Sequence, residues 1–595
     1  METVVHVRAP LAALIVAIDA VDGCTVVIGQ NLVILEAMKI EHVVTAPVDG
    51  IVRAITCVIG QIAAPGQLLL EIVPAMVQPA PVPIGLQPDH HIRADLAEVR
   101  ERHAATTDAA RAGAVARRHA SGRRTARENI ADLVDPGSFS EYGALALPAQ
   151  RRRHSVEQLR KIGPADGLVA GLATIASRQA LVMSYDYTVF AGTQGFANHR
   201  KTDRMLALAM RHRLPVVWFC EGGGGRPGDS DAYGVTGLDV PSFATFAALA
   251  GKCLRIGIAA GRCFAGNAVM LGMCDFVIAT RDSNIGLGGP AMIEGGGLGT
   301  FHPEAIGPIE VQSANGVVDL VADDEADAVI MTKQLLGCLS SPRTDWDAVD
   351  QTALREVIPA NRLRAYDVRS VIETLSDTGS VLELRTQYGI GMVTALIRIE
   401  GRTFAAMANV SMHLGGAIDA DAADKAAQFL TLAQKRGLPI LSLCDTPGFM
   451  VGPEAETTGS VRSGARMFAA GASLTVPLII IVLRKAYGLG AMAMAGGSLV
   501  APLATIAWPT AEFGGMGLEG AVRLGYAKEL AAAADEASRD ALFDDLVHKL
   551  YASGKAVSVA EWQEIDAVID PAETRAWLSR LIAAAGPFDQ DLGNR

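Results

Sequence analysis

The amino-acid sequence predicts an α/β protein of two equivalent layered halves, with a small all-β domain in front of them. Three observations carry this. Arg8–Leu32 and Thr45–Leu69 repeat one another at a spacing of 37 residues. Lys201–Val217 and Lys425–Leu441 repeat at a spacing of 224. In both long halves an apolar strand runs into a glycine-rich turn and then a helix, the alternation that builds parallel strands covered by helices.

The front domain is expected over residues 1–73. Its two copies share Ala9/Ala46, Pro10/Pro47, Gly23/Gly60 and Gly29/Gly66. Each copy is a set of short β-branched runs broken by glycine, a pattern of short strands and tight turns. One copy alone cannot bury its apolar face, so the two are expected to close on each other as a flattened barrel. Where they join, the sequence reads Glu36-Ala37-Met38-Lys39-Ile40. A lone lysine in a turn is ordinarily a solvating residue. This one sits at the centre of the repeat, clear of the domain body, where a modifying enzyme reaches it.

Residues 74–90 read as a linker, with prolines at Pro74, Pro79, Pro81, Pro83 and Pro88. Proline-rich segments are extended and semi-rigid, and a tether raises the local concentration of whatever it carries. The halves are expected over 91–345 and 346–580. The strands Pro215–Cys220 and Pro439–Cys444 lead into the turns Glu221–Gly228 and Asp445–Gly452. Later strands, Ile256–Ala260 and Leu478–Leu483, lead into Gly261–Ala268 and Arg484–Ala491.

A glycine turn that opens a helix presents unpaired backbone N–H groups and the positive end of the helix dipole. Two such amides aimed at one oxygen form an oxyanion hole, for which small residues permit close approach. The candidates are Gly266-Asn267 in the first half and Leu489-Gly490 in the second. Most such turns are merely helix starts; here two fall at equivalent places of a duplication. No Ser/His/Asp grouping is evident, since His6, His42 and His302 are dispersed.

Composition bounds the rest. The chain has 595 residues, 50% hydrophobic and 19% charged, and the formal net charge of -12 argues against a nucleic-acid partner. The arginines Arg111, Arg117, Arg118, Arg123, Arg124 and Arg127 read as a solvated helical face or subunit contact, with anionic-ligand contact as the alternative. Eight scattered cysteines without a C-x-x-C pair suggest neither a zinc site nor a disulfide framework. No metal is expected. Free thiols fit a reducing compartment. Leu11–Ile18 reads as a strand rather than a signal peptide, and Val476–Leu483 is too short to span a bilayer. A cytoplasmic protein that does not enter the membrane is expected.

Two groups of residues also carry a family resemblance. Glu-Ala-Met-Lys at 36–39, followed by Ala46-Pro47-Val48-Asp49-Gly50, resembles the biotinyl carrier domain. That resemblance implies biotin on Lys39, attached by a biotin protein ligase; the Met before the lysine distinguishes it from the related lipoyl domain. Leu11-Ala12-Ala13 departs from the usual turn of that family. Asp135–Phe139, Asp445–Phe449, Arg484–Gly488 and Ala507–Glu512 together resemble the carboxyltransferase subunits of acyl-CoA carboxylases, over roughly residues 90–570.

The second resemblance implies two crotonase-like halves and an active site where one subunit's first half meets its partner's second half. A homo-oligomer based on dimers, up to a hexamer, follows. It also implies that Gly266 and Asn267 hold the thioester carbonyl of an acyl-CoA and that Leu489 and Gly490 hold the ureido oxygen of biotin, beside Tyr487 and Gly488. Gly224, Gly225, Arg226 and Lys201 are candidates for contacting CoA, although surface salt bridges fit the two cations equally well. The reaction implied is carboxyl transfer from N-carboxybiotin to the α carbon of an acyl-CoA of the acetyl or propionyl class. The biotin anion left behind takes the α-proton, so no side-chain nucleophile is required.

Several positions depart from the family pattern. Asn267 stands where a glycine is usual, Glu221–Arg226 differs from the common Asp-Ser-Gly-Gly-Ala-Arg, Pro453–Ser460 lacks the usual Glu-Tyr-Gly-Gly, and Met492 follows the second pair. These bear on the acyl group more than on the reaction. No G-x-x-x-x-G-K-[ST] loop is present, so ATP, Mg and bicarbonate are expected to be used by a separate biotin carboxylase subunit. Two other readings stay open: the transferase of a membrane-coupled decarboxylase, and a non-catalytic carrier whose clefts no longer bind CoA.

Overall fold

The computed structural model describes residues 3–76, 92–231, 238–340 and 342–586. It divides into two compact units, Met1–Ala97 and Glu98–Arg595. Most of the predicted linker, residues 77–90, lies outside the described residues.

The front unit is two four-stranded antiparallel sheets. One holds, in order, Val5–Arg8, Leu68–Pro74, Gly50–Ile55 and Thr25–Val26; the other holds Ile40–Thr45, Asn31–Ala37, Ala13–Ile18 and Ile62–Ala63. Ala13–Ile18, Thr25–Val26 and Asn31–Ala37 recur 37 residues on as Gly50–Ile55, Ile62–Ala63 and Leu68–Pro74. Each sheet draws strands from both copies, so neither copy is a separable layer. Ile15, Leu32, Leu35, Val52, Leu69 and Ile72 are completely buried between the sheets. Full burial of such a side chain is worth about 1.5–3 kcal/mol, and the interleaving delivers it to both copies at once.

The second unit carries the duplication at 224 residues almost element for element. Leu168–Ile175 and Arg178–Tyr185 form an antiparallel hairpin; Met392–Ile399 and Arg402–Asn409 repeat it. Seventeen-residue helices follow in both, Phe196–His212 and Ala420–Arg436. Beyond each hairpin the sheet continues with parallel strands: Val216–Phe219, Arg255–Ala259 and Phe276–Thr280 in one half, Ile440–Thr446, Leu478–Tyr487 and Ala504–Ala507 in the other. The sheets are therefore mixed, not purely parallel, because each half opens on a two-strand hairpin that needs no crossover. Residues of both halves, among them Val182, Ile278, Leu396 and Ile480, share one buried cluster, so the halves are not independent bodies.

Of the predicted arginine face, Arg118 is buried, Arg111, Arg123, Arg124 and Arg127 are half-buried and Arg117 is exposed. Arg118 is buried against Glu221, Arg111 bonds Asp186 (2.7 Å) and Thr188 (2.8 Å), and Arg127 bonds Glu141 (2.9 Å). Among the described residues no helix is long and apolar enough to cross a membrane, and no His/Cys/Asp/Glu group is placed to hold a metal.

Candidate active site

The lysine of the front unit sits where two strands reverse. Asn31–Ala37 pairs with Ile40–Thr45, Ala37 opposite Ile40, leaving Met38 and Lys39 as a two-residue turn. Both have positive φ, 51° and 65°. This is the turn whose twist matches paired strands, and it is usually made with Asn-Gly. Two side-chain-bearing residues there cost roughly 1–2 kcal/mol each, and such strain tends to persist at functional positions. Met38 is 96% exposed and Lys39 is exposed beside it. The ammonium stands clear of the domain, a geometry that fits a covalently attached group.

In the second unit a residue with positive φ opens each of two short helices. Ala265 (φ 51°, ψ −124°) precedes Gly266–Gly272, and Gly488 (φ 52°) begins Gly488–Met494. The next two residues are Gly266-Asn267 and Leu489-Gly490, the predicted pairs. As the first amides of their helices they have no carbonyl one turn back. Among the described residues none of these four N–H groups has a hydrogen-bond partner.

A glycine turn lies against each opening. A Cβ on Gly224 would fall 2.6 Å from Ala265 Cβ, and one on Gly490 would fall 2.6 Å from Gly448 Cα. The turns are held alike: Gln194 N donates to Gly224 O (2.7 Å), and Ile418 N donates to Gly448 O (3.0 Å). Gly225, by contrast, has no atom near the Cβ it lacks. Asn267, fully buried, turns its carboxamide away from its own amide, accepting from Gly224 N (2.9 Å) and donating to Gly192 O (3.2 Å).

Each turn is anchored by a buried acid that sequence reading passed over. Glu221 and Asp445 stand 224 residues apart. Arg118 Nη1 reaches Glu221 at 2.9 Å, and Arg484 Nη2 reaches Asp445 at 2.9 Å. Burial raises the Glu221 carboxyl, while Arg118 draws it back down. Arg484 also donates to Arg364 O (2.6 Å) and lies over the Tyr366 ring. The one available signal was an acid at the same offset in both turns.

Other predicted residues are bonded to groups within the fold. Lys201 is only 7% exposed, and its Nζ donates to Leu168 O and to Gly143 O (3.3 Å). Burial pushes its pKa down to about 8. The Arg226 side chain is only 3% exposed, paired with Asp166 and donating to Thr193 O (2.9 Å). Both cations are thus engaged inside the fold rather than in surface salt bridges. Tyr487 is buried, its hydroxyl donating to Glu512 at 2.7 Å, with burial raising its pKa. Glu512 also accepts from Arg362 (3.3 Å), and Trp508 Nε1 donates to Thr574 Oγ1 (2.9 Å). Lys485 donates to Gly415 O (2.9 Å), and burial lowers its pKa.

Duplicated halves with paired helix-opening amides, and a lysine presented on a separate β unit, define a carrier-dependent acyl or carboxyl transferase. Comparison with known proteins makes this specific. The carboxyl transferase domain family matches residues 117–586, and the biotin-requiring enzyme family matches residues 5–72. The chain belongs to the carboxyl transferase domain family and carries a biotin-requiring domain.

It is 34% identical to the methylmalonyl-CoA carboxyltransferase 12S subunit of Propionibacterium freudenreichii subsp. shermanii, over 79% of this chain and 89% of that one. A solved single-chain, multi-domain long-chain acyl-CoA carboxylase is 56% identical with a TM-score of 0.79, covering 97% of this chain. The chain spans 56% of that protein's length. The transcarboxylase 12S structure, described as a hexamer assembly, matches with a TM-score of 0.72 and 32% identity, over 82% of this chain and 94% of that one.

Proposed function

We propose that this chain is the carboxyltransferase and biotin-carrier component of an acyl-CoA carboxylase, carrying biotin on Lys39. Carboxylated biotin would supply the carboxyl group, and the biotin ring left behind would supply the base. The chain's residues do the rest. Gly266 and Asn267 offer two free amides to the thioester carbonyl, whose oxygen gains charge as the α-proton leaves. Leu489 and Gly490 offer two to the ureido oxygen. A preorganised donor of this kind is worth about 2.7–4 kcal/mol in rate, so two pairs suffice without a side-chain nucleophile.

The observation that carries the reading is the pairing itself: free amides after a positive-φ residue at matching places in both halves. The halves at 91–345 and 346–580 are assigned to acyl-CoA and to biotin respectively. A cavity of about 330 Å³ is lined in part by Arg102, Arg111, Arg160 and Lys161 together with Glu98, Glu101 and Glu157. Arg111 is already paired with Asp186 and Arg102 with Glu98, so we propose only Arg160 and Lys161 there as contacts for the CoA phosphates. The buried Nε atoms of Arg111 and Arg160 have no partner among the described residues.

A homo-oligomer up to a hexamer, and a biotin carboxylase that loads Lys39, complete the proposal. The relative described as a hexamer supports the first. Eight unpaired cysteines support a reducing, cytoplasmic setting.

For the acyl group we keep the acetyl or propionyl class. A longer chain is the second reading, favoured by the 56% identity to a long-chain carboxylase. Purified biotinylated protein, a biotin carboxylase, ATP, Mg2+ and bicarbonate, tested over acetyl-, propionyl- and longer acyl-CoAs, decides between them. K39R should abolish both streptavidin recognition and transfer. Failure to carboxylate any acyl-CoA would overturn the proposal.

A further inference from the structure

We infer that the Asn267 side chain is a positioning residue: it sets the gap between the amide pair of the first half and the glycine turn facing it. The inference rests on the reading of Gly266-Asn267 as the thioester site.

Asn267 is completely buried, and its carboxamide is satisfied at both ends, by Gly224 N (2.9 Å) and Gly192 O (3.2 Å). Gly222 packs on the same group, since a Cβ there would lie 2.2 Å from Nδ2. One side chain therefore clamps three segments: the helix opening, the Gly222–Gly225 turn and the turn ending at Gly192. A buried polar group bonded at both ends has little rotational freedom, which is what a preorganised site needs.

The second half makes the same junction differently. Gly490 stands in the place of Asn267 and meets Gly448 backbone to backbone. Its turn amide, Gly448 N, is capped by Thr446 Oγ1 (3.1 Å) instead. In both halves a side-chain oxygen thus takes the turn amide, while the helix-opening amides keep no partner among the described residues. The first half alone depends on a long side chain for this, and the gap it holds open sets where the carbonyl rests relative to Gly266 N.

The test uses full-length biotinylated protein with its loading system and an acyl-CoA that the unaltered enzyme accepts. N267A removes the clamp. N267D keeps its size and acceptor but has no donor for Gly192 O. Both should lower kcat by at least about tenfold with KM for the acyl-CoA within about threefold, the pattern of a lost transition-state interaction. Rates are read on folded protein, below each variant's melting temperature. A kcat within about twofold of the unaltered enzyme in either variant overturns the inference, as does a raised KM with kcat retained. Residue-resolved amide exchange on the unaltered protein gives an independent reading. Gly224 N should exchange at least about a hundredfold more slowly than Gly266 N, and equal rates overturn the clamp even if neither variant folds. Should the unaltered protein transfer no carboxyl group, the carboxyltransferase reading fails while amide exchange still judges the clamp.

Discussion

Replacing the two equivalent buried lysines tests how the duplicated halves carry internal charge. Lys201 Nζ donates to Leu168 O and Gly143 O, and Lys425 Nζ donates to Arg385 O (2.9 Å). Burial lowers both from the ordinary 10.5 to about 8. Between those values an unfolded lysine holds a proton that the folded one has released, so stability rises with pH across the window. Below pH 8 both states hold the proton and the slope vanishes; above 10.5 neither does. Two and a half units at about 1.36 kcal/mol each give an upper bound of about 3.4 kcal/mol per lysine. Replacement by Met deletes this dependence and leaves carbonyls unpaired, at a pH-independent cost of about 1–3 kcal/mol for each. The assay is the unfolding midpoint of the unaltered protein, K201M and K425M from pH 7 to 10. The difference between unaltered and variant protein should be flat up to pH 8 and then grow in favour of the lysine. A difference that stays flat to pH 10, or shrinks above pH 8, refutes the reasoning.

Breaking the buried pair of the second half should be costly: D445N leaves the Arg484 charge without its partner, with a loss of about 3–5 kcal/mol in denaturant unfolding. R484M/D445L should recover most of it. G490A places a Cβ 2.6 Å from Gly448 Cα, so the second amide pair must shift, and carboxyl transfer should fall by about 10²–10³-fold with the chain still folded. M38G relieves one positive-φ residue and should raise the melting temperature of the front unit slightly, while lowering the rate at which a ligase biotinylates Lys39, read by streptavidin blot.

The sequence by itself determined whatever is set by local geometry and repetition. The spacings of 37 and 224 located two interleaved sheets and two matching halves, because a duplicated pattern of strands and turns folds to duplicated elements. Lys39 was legible because a two-residue turn between paired strands exposes its members wherever it occurs. So were the two amide pairs, since a helix start leaves its first N–H groups unbonded whatever lies around it.

Tertiary structure decided which polar side chains face inward. Lys201 and Arg226 look in sequence like surface cations, yet they close on Leu168, Gly143, Asp166 and Thr193 inside the fold. Arg118 meets an acid 103 residues away, and the Asn267 carboxamide joins groups 43 and 75 residues away. Spacing along the chain carries no record of such contacts, because they form only when separate turns pack together. The free backbone amides are written locally, whereas the side chains that hold those amides in place are chosen by packing.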